Sequence, residues 1–208
     1  MSRSSLWVMN DKFEGFEAEE FSNSWLFSPV IWDILFEKYT PENMFGPYGR
    51  VGYISSVSSN STVHTKLNDK INNCKSTADR VCWEMSNQQI FFTANKKIIV
   101  DSILQFLKDN MKYDDGVLTK EHIIERFEEI SKEILALDEN EHPYFILKNT
   151  SCDDNVAYWF RGKNEEDGEY QDINLSEQEE SVAEFVVFSD DKISKFVTNL
   201  DFFSELSI

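Results

Sequence analysis

An α+β architecture, a mixed or antiparallel sheet of about five to six strands with four to five helices in a single domain over residues 1–208, is expected from three features. Two stretches place apolar residues at helical spacing: Ile99, Ile103, Phe106 and Leu107 in one, Ile123, Phe127, Ile130, Ile134 and Leu137 in the other. Three short runs, Tyr144–Lys148, Val156–Arg161 and Val182–Phe188, are rich in β-branched and aromatic residues. The 208 residues are 41% hydrophobic, with 17 Phe, 7 Tyr and 5 Trp against 7 Gly and 4 Pro, a composition that can fill a core and that excludes collagen-like or wholly disordered chains.

Taken in order, Ser5–Met9 reads as a short strand, and residues 11–24 as an acidic, Phe-dotted connection without a steady period. Pro29–Tyr39 reads as a helix: Ser28 can accept from the free amides, Pro29 suits the first turn, and Ile31, Ile34, Leu35 and Lys38 follow helical spacing. Phe45–Arg50 holds two Gly and a Pro and predicts a bend. Val51–Val57 alternates weakly as a strand, whereas Val63, Leu67, Ile71 and Cys74 mark an amphipathic helix over 62–74.

Arg80–Met85 and Gln88–Thr93 flank the polar pair Ser86-Asn87 and predict a hairpin. Asn95 can cap a helix over about 96–109, and Thr119 opens a second over about 120–137 that turns Glu125, Glu128, Glu129, Lys132 and Glu133 outward. The stretch 110–116 is a possible weak lobe boundary. After the three β-rich runs, Ser189 would cap a terminal helix over 190–199. Residues 162–180, crowded with carboxylates, read as a long solvated loop.

Charge is the most distinctive property. There are 20 Lys and Arg against 38 Asp and Glu, a formal charge of −18. The last 59 residues hold 15 acidic and four basic side chains, the first 149 hold 23 and 16, so charge per residue is about four times higher in the last segment. A polyanionic ligand is disfavoured, which argues against direct nucleic-acid binding. An acidic surface keeps a Phe-rich protein in solution, and it also attracts a cationic partner. The candidate partner-binding residues are Asp153, Asp154, Glu165, Glu166, Asp167, Glu169, Tyr170, Asp172, Glu177, Glu179 and Glu180.

No catalytic, metal or cofactor site is expected. There is no GxxxxGK[ST], GxGxxG, GxSxG, HExxH or CxxC motif. Cys152 with Asp153 and Asp154, and His142 ten residues upstream, form the one compact polar constellation; neighbouring carboxylates disfavour a thiolate, so Cys152 reads as a structural thiol. His64 and His122 fall on amphipathic helices without further ligands nearby, and Asp114-Asp115-Gly116 and Asp190-Asp191 lack the alternating oxygens of a calcium loop. Glu128 and Glu129, adjacent on a helix, diverge by about 100° and cannot share a proton. The apolar run Leu6–Met9 is too short for a secretory signal, no apolar segment is long enough to span a bilayer, and the odd count of Cys74, Cys82 and Cys152 suits a reducing compartment. The cytoplasm is the expected location.

The segment Trp83–Thr93 leading into Lys97–Leu107, the segment Pro143–Val156 followed by Trp159-Phe160, and the acidic composition resemble immunity proteins of bacterial polymorphic-toxin systems, over roughly residues 80–160. That resemblance implies a cytoplasmic, non-enzymatic antidote that binds and occludes a cognate toxin. The alternative from the same charge physics is a phage-type inhibitor whose carboxylates mimic DNA and block a nuclease or other defence enzyme.

Overall fold

The structure, a computed structural model, describes residues 2–46, 49–149, 161–163, 166–167, 170–172 and 184–206. In chain order the elements are β1 (Arg3–Met9), β2 (Gly15–Ser22), α1 (Ser28–Tyr39), β3 (Phe45–Gly46), β4 (Gly49–Arg50), α2 (Tyr53–Ser59), α3 (Thr62–Asn72), α4 (Thr77–Ser86) and β5 (Ile90–Phe92). They continue with α5 (Lys96–Asn110), α6 (Glu121–Ala136), β6 (Tyr144–Lys148), β7 (Arg161–Lys163), β8 (Tyr170–Asp172), β9 (Glu184–Ser189), β10 (Lys192–Thr198) and α7 (Asn199–Leu206). The chain is α+β, and its six-stranded sheet runs β10-β9-β5-β6-β1-β2, mixed because β5 and β9 are parallel while the other neighbours are antiparallel. Seven α-helices lie among the described residues, more than the four to five expected.

Contacts divide the chain into two units. The sheet unit comprises residues 1–22, 88–96 and 137–208. Its core is Trp7, Met9, Phe13, Ile90, Ile146 and Phe185, with Phe92, Tyr144, Val197 and Phe202 packed against it. Phe185 and Phe202 stack with ring centroids 4.3 Å apart, and Phe13 stacks on Tyr144 at 5.1 Å. The helical unit comprises residues 23–87 and 97–136, and the stretch 110–116 lies inside it. Phe27, Ile31, Ile34, Phe36, Trp83, Phe106 and Phe127 are buried there, Phe127 lying 4.5 Å from the Phe27 ring and 6.3 Å from that of Phe106.

The helices α1, α3, α5 and α6 follow the expected stripes: Ile99, Ile103 and Phe106 of α5, and Ile123, Phe127, Ile130 and Ile134 of α6, are buried. Four expectations are corrected. Arg80–Met85 is part of α4, not a hairpin strand. Ser76 accepts from the Asp79 amide at 3.1 Å and caps the helix, and Val81–Ser86 are all buried. A helix covered nearly all round has no polar face, so its Val, Cys and Trp content looks like a strand. β5 consequently pairs with β6 and β9, not with the preceding segment.

Val51–Val57 is not a strand; Tyr53–Ser59 forms α2, with the Tyr53 amide donating to Asp33 Oδ1 at 2.7 Å and Tyr53 and Ser56 buried one turn apart. The acidic connection 11–24 contains β2. Residues 190–199 are not a helix. Asp190 (φ 49°) and Asp191 (φ 59°) both adopt left-handed backbone, the geometry of a tight hairpin turn, so Lys192–Thr198 folds back on β9 and the terminal helix starts only at Asn199.

Within the stretch read as a solvated loop, β7 and β8 pair antiparallel, Arg161 opposite Asp172 and Lys163 opposite Tyr170 in register. Of the strand expected over Val156–Arg161, only Arg161 is described, as the first residue of β7; 156–160 lie outside the described residues.

Candidate functional site

Carboxylates gather on the sheet unit. β2 is an edge strand, paired on one side with β1. Residues 16–20 are all exposed, which puts Glu17, Glu19 and Glu20 in solvent along this edge, while Phe21 is buried and holds the strand to the core. The register slips between Leu6, opposite Glu19, and Trp7, opposite Glu17, so Ala18 is an extra residue and the strand bulges there. Among the described residues Arg3 answers the row, donating to Glu20 at 2.5 Å. Glu14, next to β2, meets the Asn10 side chain at 3.2 Å and closes the β1–β2 turn.

The expected partner-binding residues divide by position. Glu166 and Asp167, between β7 and β8, are exposed. Tyr170 and Asp172 lie in β8. Asp153, Asp154, Glu165, Glu169, Glu177, Glu179 and Glu180 lie outside the described residues, as does Cys152. Glu17, Glu19 and Glu20 escaped sequence reading because the segment between Asp11 and Ser24 shows no steady alternation; the bulge at Ala18 is the reason. The usable signal was a Gly15-Phe16 start and a Phe21 end around a charged centre, the composition of a guarded edge.

The helical unit carries a cleft of about 320 Å³ lined by Asp33, Phe36, Met44, Arg50, Val51, Gly52 and Asp114. Arg50, on β4, donates to Glu37 at 2.9 Å, to Asp114 at 2.7 Å and to Asp115 at 3.2 Å. The Glu37 carboxylate also accepts from the Asp114 amide at 2.7 Å, so α1, β4 and the 3-10 turn Asp114–Thr119 are tied at one guanidinium. Asp33 lies half-buried on α1. Burial raises its pKa and the charge of Asp114 adds to this, against the Tyr53 amide and Arg50, which lower it.

Elsewhere in the helical unit His64, Tyr53, Trp83 and Asn68 form one hydrogen-bonded and stacked set. His64 Nδ1 and the Tyr53 hydroxyl are 2.6 Å apart, the imidazole stacks on Trp83 at 5.6 Å, and the Trp83 indole donates to Asn68 at 2.8 Å. Burial lowers the His64 pKa and pushes the Tyr53 phenol up to about 12. Cys74 and Cys82 are free thiols; burial, helped by Asp79, raises the pKa of Cys82, which keeps it unreactive. Among the described residues no group of three His, Cys, Asp or Glu is placed to hold a metal ion, and no helix is long and apolar enough to cross a membrane. Compared with known proteins, the chain matches no protein-family model, no curated protein and no solved structure.

Proposed function

We propose that this chain is an immunity-type antidote that binds a basic protein partner, a toxin domain, through the carboxylates of its sheet unit and carries out no chemistry of its own. The observation that carries the reading is the edge that β2 forms among the described residues, where Glu17, Glu19 and Glu20 are exposed and Arg3 pairs with Glu20. A row of like charge on an edge repels a second acidic chain and attracts a strand or loop that brings Lys and Arg. The exposed Glu166 and Asp167 and the Asp190-Asp191 turn add negative charge to the same unit. The summed field of a protein at −18 raises the association rate of a cationic partner by about 10- to 1,000-fold at low salt.

The test is protection and binding with the product of the adjacent open reading frame. In the cytoplasm the chain should relieve growth arrest by that product, and the purified pair should weaken steeply between low and high salt. Reversal of Glu17, Glu19, Glu166 and Asp167 to Lys should abolish protection. Affinity undiminished in high salt, or full protection by the reversed variant, overturns the reading.

A further inference from the structure

We propose that the cleft between Asp33, Arg50 and Asp114 in the helical unit is a binding site for an alkylammonium or alkylguanidinium group. This goes beyond the reading of the acidic sheet unit and does not depend on it. The lining of the cleft is part apolar and part charged. Phe36 and Met44, both buried, line it with Val51 and Gly52, and its volume of about 320 Å³ is in the range of small-ligand sites. A four- or five-atom aliphatic stem has apolar surface to lie on while its charged head meets the charged part of the lining.

The charge of the lining selects the sign of the ligand. Asp33 and Asp114 line the cleft together with Arg50, whose guanidinium is already held by three carboxylates, those of Glu37, Asp114 and Asp115. Both terminal nitrogens of Arg50 are engaged with Glu37, Asp114 and Asp115, so an anion would have to break an existing ion pair. Asp33 is placed differently. Its Oδ1 accepts from the Tyr53 amide at 2.7 Å, which is a structural task, and among the described residues its Oδ2 receives no hydrogen bond. Gly52 lets that carboxylate lie close against the backbone: a Cβ there would sit 3.0 Å from Oδ1 and 3.5 Å from Oδ2 and would crowd it. A cation entering the cleft therefore meets a half-buried carboxylate with one oxygen to spare. Desolvation already works against the Asp33 charge, and an ammonium or guanidinium would compensate it.

The experiment titrates the full chain with agmatine, which carries both head groups on a four-carbon stem, and follows the Gly52 and Tyr53 amides by NMR at neutral pH. Saturable shifts with a Kd on the order of 1 mM are expected. Asp33→Asn keeps an acceptor for the Tyr53 amide and removes the charge, and should weaken binding at least about tenfold. Glu125→Gln, on the exposed face of α6, should not. Binding should also fade as pH drops through the Asp33 pKa, with Asp114, Glu37, Arg50 and Tyr53 as the charged and titratable groups that face it. If Asp33→Asn does not fold, Gly52→Ala, which puts a methyl over the carboxylate, should give the same loss. The blocked peptide acetyl-Ala-Lys-Ala-amide separates the two sources of such a group: tighter binding than agmatine assigns a protein side chain, weaker binding a free amine. Linear, unsaturating shifts, or equal binding by Asp33→Asn and Glu125→Gln, overturn the site. The Glu17→Lys, Glu19→Lys variant should bind agmatine normally, so failure here is separable from failure of the antidote reading.

Discussion

The ammonium of Lys38 on α1 lies 2.6 Å from Oδ2 of Asp79 on α4, and the Asp79 side chain is completely buried. The same carboxylate accepts from the Tyr39 hydroxyl at 2.6 Å and from the Asn110 amide at 3.1 Å, while Lys38 also donates to Asn110 at 2.8 Å. Three helices are thus tied through one charge, and every polar group in the set has a partner. Burial, followed by the hydrogen bond to Asp79, pushes the Tyr39 pKa far up, so the phenol remains a donor throughout the physiological range.

Asp79→Ala should therefore destabilise the protein by about 3–5 kcal/mol, because it strands Lys38 in a half-buried site and removes an acceptor from Tyr39 and Asn110. Urea unfolding followed by far-UV circular dichroism checks this. The double variant Lys38→Met, Asp79→Leu should recover much of the loss, since an apolar pair of similar volume avoids the cost of burying charge. No recovery would mean that the network matters through its geometry more than through its charges.

His64 gives the acid limb of stability a sign. Burial holds its folded pKa below the ordinary 6.5, so below pH 6.5 the unfolded chain takes up the proton first. The stabilisation is complete above 6.5 and is lost as pH falls through the lowered folded value. A single proton limits the slope to about 1.4 kcal/mol per pH unit. Unfolding midpoints at pH 7.5 and pH 5.5 should drop in the wild type and drop less in His64→Gln, which can still face the Tyr53 hydroxyl. Quenching of Trp83 fluorescence should track the same titration, because the imidazole stacks on that indole.

The Asp190-Asp191 turn is predicted to be improvable. Both residues hold positive φ, where Asp is tolerated and where Asn followed by Gly is the favoured pair. Asp190→Asn with Asp191→Gly should stabilise the β9–β10 hairpin by about 0.5–1 kcal/mol and leave the register unchanged. A loss of stability would show that one of the two carboxylates has a partner in the native state.

The glutamates of β2 have a structural duty alongside any binding. A flat edge strand invites pairing with a second chain, and Glu17, Glu19 and the bulge at Ala18 oppose it. Glu17→Val with Glu19→Val should leave the monomer folded and promote concentration-dependent oligomers with added β signal, read by light scattering and circular dichroism. If the variant stays monomeric at high concentration, the carboxylates serve the partner alone.

Helix α6 was legible residue by residue, since Ile123, Phe127, Ile130 and Ile134 face the interior while Glu125, Glu128 and Glu129 face water. Helix α4 was not, because it is buried on nearly all sides and its β-rich residues carry no periodic contrast. Strand β10 was misread for a complementary reason: Ile193, Phe196 and Val197 fit a helical stripe, and only the left-handed pair at 190–191 turns them into a strand. The candidate cleft was invisible in sequence, since its charged residues Asp33, Arg50 and Asp114 are 17 and 64 positions apart along the chain and no local spacing signals their meeting.

By itself the chain of amino acids determined what depends on composition and on one-sided burial: the α+β class, the amphipathic helices α1, α3, α5 and α6, and the acidic asymmetry. Tertiary structure decided the rest: that Thr77–Ser86 and Tyr53–Ser59 are helices, that β5 joins β6 and β9, that Gly15–Ser22 becomes an edge, and that Arg50 gathers carboxylates from α1 and from the turn before α6. The physical reason is that a segment advertises its structure through the contrast between its wet and dry faces. Where long-range contacts cover both faces, or leave a strand bare at an edge, that contrast is set by partners distant in the chain.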